Sequence, residues 1–197
     1  VKEDLARLIH AGVEEVKFVD RTFNADERRA REIMEFIISQ QGNTRFHCEI
    51  TAEHLSPEFI SFLATVPPDL FDFEIGIQST CPESLKAVRR NSNWPRLRTN
   101  IERLQAATNI HLHLDLIAGL PYESFERFAR SFNDVFSLRP DVIQLGFLKL
   151  LKGSEIRAAA REHGYLFQDN PPYQLLANHY LDYNEILQLK QIEDLLE

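Results

Sequence analysis

The segment Phe71-Asp72-Phe73-Glu74-Ile75-Gly76-Ile77-Gln78, followed by Ser79, sets the architecture of this chain. Apolar side chains at 71, 73, 75 and 77 alternate with polar or small ones at 72, 74, 76 and 78. That period of two predicts a strand with one greasy face and one ionisable face. The pattern returns on both sides. Downstream, Ile110, Leu112, Leu114 and Leu116 oppose His111, His113 and Asp115; upstream, Phe46, Cys48 and Ile50 oppose Arg45, His47, Glu49 and Thr51.

Helical patterns separate these strands. A helix is predicted over 3–11, with Leu5, Leu8 and Ile9 on one stripe and Gly12 as its stop, followed by a strand at 16–20. Asn24 and Glu27 have capping-box spacing ahead of a helix carrying Ile33, Met34, Ile37 and Ile38. Ser56-Pro57-Glu58 opens another, which ends before Pro67-Pro68. A short helix from Pro82 and a longer one over 95–107 precede the strand at 110–117, and Gly119-Leu120-Pro121 then turns the chain into a helix carrying Phe125, Phe128, Phe132, Val135 and Phe136. The last strand, 142–149, leads to a helix over 154–163 that Gly164 terminates, and a Tyr/Leu-rich helical tail follows Asn170-Pro171-Pro172. Strand and helix alternating every 30 or so residues predict βαβ units and a parallel sheet. Five strands are too few for a closed eight-stranded barrel. The architecture is therefore an incomplete barrel or an open α/β sheet, with a core over 1–164 and an extension over 165–197.

Parallel strands covered on both faces should be apolar throughout, and these are not. One explanation is an antiparallel sheet with one wet face; the other is a barrel with a polar, solvated lumen. The intervening helices favour the second. Because barrel interiors are ordinarily filled with Val, Ile and Leu, a polar lumen implies a polar ligand.

Composition narrows the function classes. The 197 residues are 44 % hydrophobic and 26 % charged with a net charge of -8. This excludes a disordered chain and disfavours nucleic acid as a partner. No apolar run approaches the roughly 18 residues of a membrane span, and no signal-peptide pattern opens the chain. Cys48 and Cys81, 33 residues apart, write neither a disulfide framework nor a cysteine metal cage. A cytoplasmic domain without membrane partners is expected.

Reactive groups in such folds gather at the carboxyl ends of strands. Asp20, Glu49, Gln78 with Ser79, Asp115 and the stretch Gly146–Lys149 fall there. Each alone is equally a helix cap or surface ion pair; their recurrence points to a site. His111 and His113 form an H-x-H pair of the kind that binds zinc in metal-dependent hydrolases, but they precede the strand end and nothing downstream completes a ligand set. Arg89-Arg90 is either a carboxylate clamp or the dipole-compensating end of a short helix. No G-x-G-x-x-G, P-loop or G-x-S-x-G occurs. Cys48 alternates onto the apolar face as a core thiol.

Three segments together resemble a known family: Phe-Val-Asp-Arg-Thr-Phe (18–23), Phe-Glu-Ile-Gly-Ile-Gln-Ser (73–79) and Leu-Asp-Leu-Ile-Ala-Gly-Leu-Pro (114–121). They are similar to the core of radical S-adenosylmethionine (SAM) enzymes, of the coproporphyrinogen dehydrogenase-like and cobalamin-domain-associated kind, over about 3–160. The resemblance implies a partial (β/α) barrel of six strands, five of them here. It places Asp20, Arg21 and Thr22 in the loop that contacts the methionine amino group and Glu49 at an acidic strand end near the cofactor. Gln78, with Ser79, and Asp115 fall where the ribose is held, and Arg90 where the methionine carboxylate is held. It implies SAM and a [4Fe–4S] cluster as cofactors, a small-molecule substrate in the lumen, and a flavodoxin- or ferredoxin-like electron donor. The tail from about 165 resembles the extension of a subgroup with a cobalamin-binding domain, which adds cobalamin. The family's C-x-x-x-C-x-x-C cluster loop is absent, so no metal ligand is assigned here. The expectation is a piece of an Fe–S oxidoreductase or methyl-transferring enzyme, cut downstream of that loop and inactive alone. The alternative class is a non-catalytic ligand-binding or scaffolding barrel. A tRNA methylthiotransferase-like role is disfavoured by the negative charge, and zinc hydrolysis by the missing ligands.

Overall fold

The computed structural model describes residues 1–53 and 55–196; Glu197, the last residue of the expected extension, lies outside the described residues. Five strands, β1 (Glu15–Lys17), β2 (Arg45–Glu49), β3 (Phe71–Gln78), β4 (His111–Ala118) and β5 (Val142–Phe147), form one sheet in the order β1-β2-β3-β4-β5. Pairing is parallel, with Val16 beside Phe46 and Phe46 beside Phe71. Helix α1 (Lys2–His10) precedes β1, and α2 (Glu27–Ser39), α3 (Pro57–Leu63), α4 (Pro82–Ala87), α5 (Trp94–Ala107) and α6 (Phe125–Phe136) occupy the connections. The fold is the partial (β/α) barrel. After β5 come the four-residue α7 (Glu155–Ala158), a hairpin of β6 (Leu166–Phe167) and β7 (Leu175–Ala177), and α8 (Tyr183–Leu196). No described helix is long and apolar enough to cross a membrane.

The chain divides into two compact units, one of residues 1–76 and 93–114, the other of 77–92 and 115–197. In the first, the apolar faces of β2 and β3 bury Phe46, Cys48, Phe71, Phe73 and Ile75 together with Met34, Leu63, Ile101 and Leu104. Each such aromatic contributes about 1.5–3 kcal/mol of burial. Asn24 does not cap α2. Asp26 does, its Oδ1 accepting from the Arg29 N–H at 3.1 Å. Asn24 instead clamps the chain just beyond β2, donating to the Thr51 carbonyl at 2.8 Å and accepting from its N–H at 2.9 Å. Only an amide offers both halves of that pair. Glu27 turns away from its own helix to accept from Ser56 N–H at 2.9 Å.

On the ionisable face of this unit, several polar side chains pair with one another. His47 Nε2 lies 2.7 Å from Glu74 Oε2, Arg45 lies 3.8 Å from the buried Asp72, and the His47 and His113 rings meet edge-on at 5.5 Å. His111 pairs with Asp69 at 3.1 Å. Among them, the buried Asp72 carboxylate has the Arg45 guanidinium beside it, as a buried charge requires.

In the second unit, Ser124 caps α6 through the Arg127 N–H at 3.3 Å, burying Phe128, Ser131 and Val135. The helix predicted over 154–163 shortens to α7 plus turns, ending at Gly164 with φ 64°. The tail is helical only from Tyr183; the hairpin precedes it because Pro171 and Pro172 cannot continue a helix. α8 packs on β5, with Lys190 Nζ over the Phe147 ring at 5.4 Å.

Candidate functional site

β3 ends on Gln78, whose φ of 70° is the left-handed conformation that costs an L residue about 1–2 kcal/mol. The segment Ser79-Thr80-Cys81 over-determines that bend. Ser79 Oγ donates to Glu123 Oε1 at 2.6 Å and accepts from the Cys81 N–H at 2.8 Å. Thr80 donates through Oγ1 to Asp134 at 2.7 Å and through its N–H to Ser131 Oγ at 3.2 Å. Ser131 Oγ in turn donates to Glu123 Oε1 at 2.7 Å, and Arg127 reaches both Ser131 and Thr80. Glu123 is fully buried. Burial raises its carboxyl above the ordinary range, against the smaller lowering by the Ser79 and Ser131 hydroxyls and Arg127.

Gln78 also lines a cavity of about 1440 Å³ that lies within the second unit. Its Oε1 is buried with no hydrogen-bond partner among the described residues. An unsatisfied buried acceptor costs about 1–3 kcal/mol. Backbone strain and an orphaned oxygen thus coincide on one cavity residue.

Spacing leaves the two arginines open. Both line the cavity; Arg89 Nη1 pairs with Glu155 Oε1 at 2.7 Å, both side chains well exposed, and the Arg90 N–H donates to the Leu85 carbonyl at 2.8 Å. Asp115 is half-buried on the same strand face as Ile117, which borders the cavity. Ser79 is 1 % exposed with its hydroxyl turned to Glu123.

The other expected residues lie in the first unit. Asp20 and Arg21 are exposed beyond β1, with Asp20 3.8 Å from Arg29. Thr22 Oγ1 donates to the Arg21 carbonyl at 2.8 Å, and Glu49 is exposed at the end of β2. The structure therefore brings Gln78 and Arg90 to one cavity. It adds Tyr122 and His163, which also line it, and Glu123 behind the bend. Glu123 reads locally as an acidic residue at a helix start, so only its fold partners reveal it.

The description "Radical SAM superfamily" matches residues 1–135. The chain belongs to that superfamily. Residues 161–197 match a second family, described as "Protein of unknown function (DUF4080)". The oxygen-independent coproporphyrinogen III oxidase of Pseudomonas aeruginosa is 36 % identical over 67 residues, which is 34 % of this chain and 15 % of that protein. The fold is similar to that of the coproporphyrinogen III oxidase HemN from Escherichia coli, a radical SAM enzyme, with a TM-score of 0.66 at 17 % identity over 96 % of this chain and 44 % of that one. It is also similar to the radical SAM methyltransferase TsrM from Kitasatospora setae with cobalamin and a [4Fe-4S] cluster bound, with a TM-score of 0.67 at 16 % identity over 87 % of this chain and 34 % of that one. The chain thus spans 15 % of the curated relative and less than half of either solved structure.

The residues present fit SAM but not the cluster. Gln78 Oε1 is a buried acceptor without a hydrogen-bond partner among the described residues, and Arg90 is a cation lining the same cavity. A radical SAM cluster needs three thiolates; Cys48 and Cys81 are both buried and stand alone. Burial pushes the Cys48 thiol far up, with Asp20 and Asp72 adding to the rise, as suits the core thiol expected there. Cys81 Sγ donates to Glu83 at 3.3 Å. Glu15, His47 and Asp72 bring donor atoms within 4.8 Å of one another, but His47 and Asp72 already engage Glu74 and Arg45.

Proposed function

We propose that this chain is the SAM-holding part of a radical SAM enzyme, in which Gln78 Oε1 accepts from a ribose hydroxyl, Asp115 accepts on the same ribose, and Arg90 pairs with the methionine carboxylate. The observation that carries this is the orphaned Oε1 of a strained residue on a large cavity. Ser79 acts behind Gln78, tying the bend to Glu123. For Asp20, Arg21, Thr22 and Glu49, contacts to the methionine amino group and nearby cofactor atoms rest on the family resemblance. Bound SAM would supply the chemistry, as the source of a 5′-deoxyadenosyl radical or of a methyl group, and Gln78, Asp115 and Arg90 would hold it. The electron source lies outside these residues, because the donor set for a cluster is not among them.

For the whole protein we further propose a small-molecule substrate, a flavodoxin- or ferredoxin-like electron donor and a cytoplasmic setting. Cobalamin joins SAM and the cluster as a candidate cofactor, since a neighbour in fold carries it. The domain organisation proposed is a barrel core over 1–164 and an extension over 165–197.

Calorimetry with SAM tests the cradle. Gln78→Ala, Arg90→Ala and Asp115→Ala are each expected to weaken binding about tenfold, equivalent to roughly 1.4 kcal/mol. Gln78→Gly should do the same while raising stability by about 1 kcal/mol, since it relieves the left-handed strain. Affinities indistinguishable from wild type in all the variants would remove the assignment.

A further inference from the structure

The cavity of the second unit, at about 1440 Å³, exceeds the roughly 300–1,000 Å³ that suffices for one drug-sized ligand. Gln78 and Arg90 account for part of its wall. Another part comes from Tyr122 and from Glu162 and His163, the latter two at the start of the segment that matches the family of unknown function. Tyr122 is 49 % exposed and carries a φ of 61°, where a glycine would be free of strain. Its ring is braced by His163, edge-on at 5.4 Å, and by Tyr180 at 5.3 Å. A strained, exposed aromatic that is braced from behind is a preorganised platform. His163 is 6 % exposed and its Nδ1 engages the Tyr180 hydroxyl at 3.2 Å, which leaves Nε2 as the nitrogen for a ligand.

The wall is also fixed. Tyr165 and Asn178 both donate to the Gly119 carbonyl, at 2.9 and 3.1 Å, tying the hairpin to the turn after β4. The charged lining residues fall into two groups by chain position. Lys86, Arg89 and Arg90 come from α4 and the loop after it, together with Glu83, which accepts from Cys81 Sγ at 3.3 Å, and Glu155 pairs with Arg89 at 2.7 Å. Glu162 has no ion-pair partner among the described residues.

We propose that Tyr122, Glu162 and His163 form a substrate subsite that takes an organic cation. A protonated amine carried on a flat or apolar group sits against the Tyr122 ring and the Glu162 carboxylate, with His163 Nε2 as a hydrogen-bond partner. An anionic substrate would meet Glu162 and be repelled. This rests on the assignment of Gln78 and Arg90 to SAM only for which part of the cavity is left over.

The test uses the whole protein carrying this chain, with S-adenosylhomocysteine present, and compares 2-phenylethylamine with 3-phenylpropionate by ligand-observed NMR. The amine is expected to bind at least tenfold more tightly than the acid. Glu162→Gln should bring the two within twofold, and Tyr122→Leu should weaken the amine at least fivefold, with S-adenosylhomocysteine affinity within twofold of wild type in both variants. Equal or reversed preference, preference surviving in Glu162→Gln, or an amine that fails to bind at millimolar concentration overturns the proposal. If Gln78→Ala leaves cofactor affinity unchanged while the cation preference holds, the cradle assignment fails and the cation subsite stands.

Discussion

Gly119→Ala perturbs the point where the tail meets the turn after β4. Gly119 has φ 93°, and a Cβ built there runs into Leu175 Cδ2, with Leu175 Cγ at 3.4 Å and Leu148 Cβ at 3.7 Å. Leu175 is 0 % exposed, so its side chain has nowhere to swing. The left-handed backbone costs about 1–2 kcal/mol and overpacking about 1–3 kcal/mol. The sum, roughly 2–5 kcal/mol, is a large fraction of a domain's stability. Gly153 is the control. Its φ is 81° and nothing lies within 4 Å of a built Cβ, so Gly153→Ala should cost only the backbone part, about 1–2 kcal/mol. Urea unfolding of both variants, in the same buffer, reads the difference. A second check is the cycle with Leu175→Ala, in which the two changes should couple favourably by about 1 kcal/mol or more because the clash disappears. If Gly119→Ala costs no more than Gly153→Ala, the hairpin does not press on the turn. The fixed wall that the substrate subsite needs would then be lost as well.

Glu123 makes stability depend on pH. Its folded carboxyl titrates above its ordinary value of 4.5, chiefly through burial. The folded state thus holds the proton more tightly, and the contribution to stability is fully present below that value and lost as pH rises through the folded one. Glu123→Gln keeps an oxygen for Ser79 and Ser131 but carries no charge. Urea unfolding should therefore show a shallower fall in stability from acid to neutral pH in the variant, and identical slopes would refute the reasoning. Iron and sulfide added to this chain should give no [4Fe–4S] absorbance, in wild type or in Cys48→Ser and Cys81→Ser. A stable cluster would mean that two buried thiols do what three are needed for.

Where the backbone itself imposes the period, the fold was legible. The alternation at 71–78 and 110–117 recovers β3 and β4 to within a residue, because pleating puts every second side chain on one face whatever surrounds it. Caps were legible where the rule is local, as at Ser56, and failed at Asn24, whose partner Thr51 lies in another element. The hairpin was missed because strands of two and three residues are too short to carry a period. Of the cavity residues named from sequence, Gln78 follows from its place at a strand end and Arg90 from the family resemblance, whereas the partner of Arg89 at Glu155 and the clamp of Ser79 on Glu123 exist only once distant segments meet.

Backbone conformation separates ordinary turns from positions held for a purpose. Of the non-glycine residues with left-handed φ, Gln41, Arg89 and Arg139 follow helices α2, α4 and α6, where such a residue commonly satisfies the last carbonyls. Asp69 belongs to a type that tolerates the region, and Tyr173 turns the hairpin. Gln78 ends a strand, where no capping reason applies, and Tyr122 follows Pro121, where glycine would carry no strain. Both line the same cavity, and each is held from outside its own segment, Gln78 through Ser79 on Glu123 and Tyr122 through the His163 and Tyr180 rings. About 1–3 kcal/mol of strain sustained at each of two such positions on one cavity is what motivates assigning them a role there. The two proposals stand on the same physical ground: a buried amide oxygen without a partner on one strained residue, and a braced, exposed ring on the other.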